Sequence, residues 1–137
     1  MKSRRYLLDT SAVLALVEDE DGADRVEALL RTQDVIVPFV ALLESHYISR
    51  REQGEAEADR RYALLRQLTP HILWEVDEPT LLTAARLKAL NPISLADALI
   101  AAFAIQNDAI LVHKDPEYEV VAGEVELEAL PYKPVMG

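Results

Sequence analysis

The chain has 137 residues, half of them hydrophobic, with 14 Lys plus Arg, 24 Asp plus Glu, a formal net charge of −10 and no cysteine. That length and composition predict a single domain over residues 1–137, and exclude a disordered chain, a disulfide framework and a thiolate metal site. The acidic balance argues against sequence-independent binding of a polyanion, and suits hard cations or a basic protein partner.

Tyr6-Leu-Leu8 is a short unbroken apolar run that suits a strand buried on both faces. Asp9 follows at once; Thr10 and Ser11 are good N-caps for a first helix over 11–18. No signal-peptide pattern leads the chain, which fits a cytoplasmic protein with no membrane partner. The acidic turn Asp19 to Gly22 precedes a second helix over 23–31. Val35-Ile-Val37 is the second strand, closed by Pro38. Helices over 39–51 and 56–68 follow, separated by Gly54. Ile72 to Val76 reads as the third strand, with Trp74 in the core. Helices over 78–90 and 94–106 flank the break at Asn91-Pro92. The apolar stretch Ile93 to Ile105 contains Asp97 and is too short to span a bilayer. Ala109 to Val112 is the fourth strand, and Asp115-Pro116 opens a loop. Val125 to Leu130 reads as a half-exposed edge strand before an irregular tail over 131–137.

Strands alternating with helices predict right-handed crossovers. The fold class is therefore α/β: a three-layer α/β/α domain with a parallel sheet of about five strands. Its helices run antiparallel to the strands, so helix N-termini share a sheet edge with strand C-termini. Four acids fall on that edge: Asp9 after the first strand, Glu44 early in the third helix, Asp97 in the first turn of the sixth, and Asp115 past the fourth strand. Each has a plain structural alternative. Asp9 and Asp115 are turn formers, and Glu44 complements a helix dipole. Asp97 completes a capping box with Ser94, although Asp is a short reciprocal partner there. Glu44, however, shares a face with Val40, Tyr47 and Ile48, and Asp97 is the one charge at the head of an all-apolar helix.

Carboxylates that converge repel one another, and a divalent cation relieves the cost. An all-oxygen donor set suits Mg²⁺ or Mn²⁺ rather than Zn²⁺. The chemistry implied is metal-assisted hydrolysis of a phosphodiester.

Four segments then carry a resemblance: Leu8-Asp-Thr-Ser-Ala12, Leu43-Glu-Ser45, Ser94-Leu-Ala-Asp-Ala-Leu-Ile-Ala-Ala102 and Val112-His-Lys-Asp-Pro-Glu-Tyr118. In order, spacing and total length they resemble PIN-domain ribonucleases, and look most like the VapC toxins of toxin–antitoxin pairs. The resemblance implies a metal-dependent endoribonuclease with Asp9, Glu44, Asp97 and Asp115 as catalytic, metal-coordinating acids, Asp9 and Asp97 central. Thr10 or Ser11 would orient a carboxylate or water, and Glu117 would assist or replace Asp115. It further implies a Mg²⁺ or Mn²⁺ cofactor, an RNA substrate, an antitoxin with a basic tail, and a homodimer. The chain departs from the family at His113, Glu117 and Tyr118, where the family often has Thr before the fourth acid and an Asp-Phe pair after it.

Two other classes stand beside this reading. A phosphoryl-transfer or receiver domain would use Asp9 covalently, but lacks its second Asp or its acidic pair. A non-catalytic PIN-like module would grip RNA or protein without cutting. The arginines at 50, 51, 60 and 61 read as a solvated face pairing with nearby acids rather than as phosphate contacts. His113 reads as a solvated loop residue.

Overall fold

The computed structural model describes residues 4–134. Five strands form one parallel sheet in the order β3-β2-β1-β4-β5: β1 Arg5–Leu8, β2 Asp34–Pro38, β3 His71–Leu73, β4 Ala109–His113 and β5 Leu127–Ala129. Six helices connect them: α1 Thr10–Val17, α2 Ala23–Thr32, α3 Phe39–Gln53, α4 Glu55–Leu68, α5 Glu78–Leu90 and α6 Leu95–Gln106. The three-layer α/β/α architecture expected from the strand–helix alternation is the one observed.

Successive side chains of a strand point to opposite faces, and the buried strands use both. Leu7, Ile36 and Leu111 pack in one core with Ala98, Phe103 and Tyr118. Leu8, Val37 and Val112 pack in the other with Val13, Leu29 and Leu65. This two-sided burial is why β1, β2 and β4 read as continuous apolar runs rather than alternating ones. No helix among the described residues is long and apolar enough to cross a membrane.

Four boundaries differ from the sequence expectation. Helix α1 starts at Thr10, and its cap is Asp9 rather than Thr10 or Ser11. Strand β3 stops at Leu73, where its pairing with Pro38 ends β2. Trp74 therefore lies beyond the ladder and is 52% exposed, not in the core; the Arg66 guanidinium lies 5.2 Å from its ring centroid. The segment after Asp115 is a 3₁₀ helix, Pro116–Val121, not an open loop. Its end carries Val125 into the core through Val125 N–H donating to the Val121 carbonyl at 3.1 Å, which shortens β5 to Leu127–Ala129.

Candidate functional site

Strand order reverses between β1 and β4, which are adjacent although about a hundred residues separate them. The connections leaving the two strands diverge to opposite faces. That opens a crevice at their C-terminal ends, the usual place for a ligand in an open α/β sheet. Asp9 and the turn after His113 stand at this point. The Asp9 N–H extends the ladder by donating to the Val112 carbonyl at 3.1 Å.

Asp9 is 2% exposed. Its Oδ1 accepts from the Ala12 N–H at 2.8 Å, capping α1, and the Ser11 hydroxyl donates to the same carboxyl at 2.8 Å. Ser11 Oγ in turn accepts from the Lys114 N–H at 2.8 Å, so one hydroxyl joins the ends of β1 and β4. Burial pushes the Asp9 carboxyl up to about 7, against the lowering effect of these donors, and Asp115 adds to the rise.

On the other side of the crevice, Ser94 caps α6 by accepting from the Asp97 N–H at 3.1 Å. The return half of a capping box is absent. The Ser94 N–H donates instead to Glu117 Oε1 at 2.9 Å, so the short Asp97 side chain is released from capping. Asp97 Oδ1 accepts from the Tyr118 hydroxyl at 2.9 Å. Burial first, and then the neighbouring Glu117, raise the Asp97 carboxyl to about 8, with Asp9 contributing. The Glu117 N–H donates to Asp115 Oδ1 at 2.9 Å, and the Asp115 N–H donates to His113 Nδ1 at 3.2 Å. Three side chains in a row thus hold backbone N–H groups and fold the turn against α6.

Asp97, Asp115 and Glu117 each place a carboxylate oxygen within 4.8 Å of the others. Asp9 is electrostatically linked to this group through Asp115 and Asp97. Glu44 lies outside it. It is half-buried on α3, and its Oε1 accepts from the Thr10 hydroxyl at 2.5 Å, which ties it to the residue next to Asp9. Glu117 is therefore a member of the tight group beside Asp115, where the sequence predicts it as an assistant to Asp115 or its replacement. An all-oxygen, acid-rich and partly dehydrated donor set fits a hard divalent cation.

His113 is the last residue of β4 and fully buried, not a solvated loop residue. Burial holds its ring on the neutral side. With Nδ1 accepting, Nε2 carries the hydrogen, and Nε2 has no partner among the described residues. Tyr118 stands out in the sequence only as a departure from the family pattern, and nothing there signals its hydroxyl contact with Asp97. Of the four arginines, Arg50 and Arg60 are exposed and pair with Glu55 and Glu57 as expected; Arg61 also pairs with Glu57 but is buried rather than on a solvated face, and the Arg51 guanidinium lies 5.0 Å from the Tyr47 ring centroid.

The pattern that defines the PIN domain family matches residues 6–124. No curated protein matches by sequence. Several solved structures share the fold. VapBC2 from Rickettsia felis, bound to a DNA fragment from its promoter, aligns with a TM-score of 0.78 at 17% identity, covering 93% of this chain and 99% of that one. VapBC-1 from nontypeable Haemophilus influenzae gives 0.72 at 22%, covering 91% and 97%. VapC20 from Mycobacterium tuberculosis, a sarcin–ricin loop cleaving toxin, gives 0.68 at 20%, covering 88% and 97%.

Proposed function

The chain belongs to the PIN domain family, and on that premise we propose that it is a metal-dependent endoribonuclease, the toxin of a VapBC-type toxin–antitoxin pair. The observation that carries the reading is the convergence of Asp97, Asp115 and Glu117 within 4.8 Å beside the buried Asp9, at the sheet's switch point. Asp9, Glu44, Asp97 and Asp115, with Glu117, are the residues that would hold Mg²⁺ or Mn²⁺. When bound, the cation polarises the scissile phosphate and lowers the pKa of an attacking water.

The chain's own residues prepare that site. Ser11 holds the Asp9 carboxyl, and Thr10 holds one oxygen of Glu44. Both hydroxyls come from the first turn of α1, so positioning is done by a rigid element rather than a loop. The burial of Asp9 keeps bulk water from one wall of the crevice.

The partners follow from the chemistry. The substrate is RNA, and the work is done in the cytoplasm. An antitoxin with a basic tail is the partner that the net charge of −10 and the acidic crevice favour. Exposed Leu81 and Leu82 on α5 support a homodimer.

The test is cleavage of structured RNA in Mn²⁺. Wild-type protein should cut, and EDTA, Asp9→Asn and Asp97→Asn should each abolish cutting while the circular dichroism spectrum stays unchanged. Undiminished cleavage in EDTA would overturn the proposal. RNA binding without cutting, unchanged in Asp97→Asn, would identify a non-catalytic module instead.

A further inference from the structure

We infer that Tyr118 is a positioning residue of the acidic site: its hydroxyl locks the Asp97 carboxylate into the orientation that a divalent cation requires. The inference rests on the metal site proposed above and concerns a residue outside the acids themselves.

The carboxyl of an Asp turns about a broad, roughly two-fold torsion, so packing alone leaves its oxygens poorly placed. A hydrogen bond is needed to fix them. Asp97 has few sources of one. It lies in the first turn of α6, where the Ser94 N–H that could have engaged it is taken by Glu117. Among the described residues, no backbone N–H donates to its carboxylate. The Tyr118 hydroxyl does, at 2.9 Å to Oδ1.

The donor itself is rigid. Tyr118 is fully buried, and its ring packs 5.1 Å from the ring of His113, itself fully buried. His113 also receives the Asp115 N–H. The ring that supports Tyr118 therefore also supports Asp115, so one buried pair sets two acids of the group. A phenylalanine would fill the same space and leave Asp97 free to turn. The hydroxyl is thus the part of Tyr118 that acts on the site, and the ring is the part that acts on the core. Outer-shell partners of this kind typically change metal affinity about 10–100-fold when removed.

The experiment is a Mn²⁺ titration, by calorimetry or electron paramagnetic resonance, of wild type, Tyr118→Phe, Asp97→Asn and the double variant. Tyr118→Phe should weaken Mn²⁺ binding about tenfold or more, and should weaken it no further in the Asp97→Asn background, the signature of a residue acting through Asp97. A purely structural role would instead lower the melting temperature and leave affinity within about twofold of wild type, which would overturn the inference while the wild-type titration still upheld the metal site. A wild type that binds no Mn²⁺ would overturn both. A second reading needs no variant. On titration of the wild type with Mg²⁺, the Cζ resonance of Tyr118 should shift, while those of Tyr6 and Tyr62 stay put. An unmoved Tyr118 resonance at saturation would also overturn it.

Discussion

Asp9 closes a helix and stands in a group of acids at the same time, and the two duties pull its charge in opposite directions. As a cap it is favoured ionised; as a buried acid among others it is favoured protonated, and burial prevails. The cation-free protein should show this as a pH dependence. Asp9 and Asp97 have folded values of about 7 and about 8 against an ordinary 3.8, so the native state holds protons that the unfolded chain has released. Their contribution is greatest below the ordinary value and is lost as pH rises through the folded ones, at about 1.4 kcal/mol per unit of difference. His113 has the opposite sign, because its folded value is depressed below 6.5 and stability is gained as pH rises toward that point. In EDTA, melting temperature should therefore fall as pH rises from 3.8 to about 8, with both acids contributing up to about 7 and Asp97 alone above it, while His113 offsets part of the fall just below 6.5; Mn²⁺ at pH 8 should restore it. A flat profile would contradict the burial of these acids. Asp97→Asn keeps an acceptor for Tyr118 and removes the charge. At pH 8 in EDTA its melting temperature should exceed that of wild type, while Mn²⁺ no longer raises it.

At the scale of elements, helix packing depends on one buried guanidinium. Arg61 on α4 is 9% exposed; it donates to Glu57 at 3.0 Å, to Glu18 after α1 at 3.2 Å and to Ser49 Oγ on α3 at 2.9 Å. Arg60 shares Glu57 but is solvent-exposed. Arg61→Ala should cost roughly 1–3 kcal/mol, since it leaves the buried Ser49 hydroxyl without its guanidinium partner. Arg60→Ala should cost much less, because its pair with Glu57 is screened by solvent. Urea denaturation of the two variants measures the contrast. The turn before α2 offers a second case. Gly22 has a φ of +100°, and a Cβ there would stand 3.0 Å from the Leu130 Cβ. Gly22→Ala should destabilise by about 1–2 kcal/mol from the backbone alone, with Leu130 adding to it. The six α-helices and the parallel character of the sheet were legible in the apolar runs and the breaks at Gly54, Pro70 and Asn91-Pro92. The end of β3 was not, because Ile72 to Val76 alternates well enough to continue, and the stop is imposed from β2 by Pro38. His113 was misplaced for a similar reason. A histidine before Lys114-Asp115-Pro116 looks solvated until one sees that β4 runs on through it. The approach of Asp9, Asp97 and Asp115 to one another was legible because topology alone brings strand ends and helix starts to one edge. The tight grouping of Glu117 with Asp97 and Asp115 was not, since it follows from a 3₁₀ turn and from a capping exchange with Ser94.

At the scale of the whole molecule, the two sheet faces are well covered, but apolar side chains remain outside. Leu82 is 59% exposed and Leu43 56%. If these meet a second copy, light scattering at micromolar concentration should give twice the chain mass. Leu82→Glu should then give monomers without lowering the melting temperature by more than a few degrees, since the side chain is not in the core. The strand order has a further consequence. The central strand β1 is made first, gains β2 as one neighbour within some thirty residues, and waits for β4, which pairs Arg5 with Ala109, to supply the other. Contacts so distant in the chain close slowly. During synthesis, a ribosome that has released only the first hundred residues holds Asp9 with its second flank bare and with neither Asp115 nor Tyr118 yet emerged. The acidic crevice is therefore among the last features to form, and a polypeptide of that length carries Asp9 and Asp97 without Asp115 and Glu117, the acids that complete the group in the full fold.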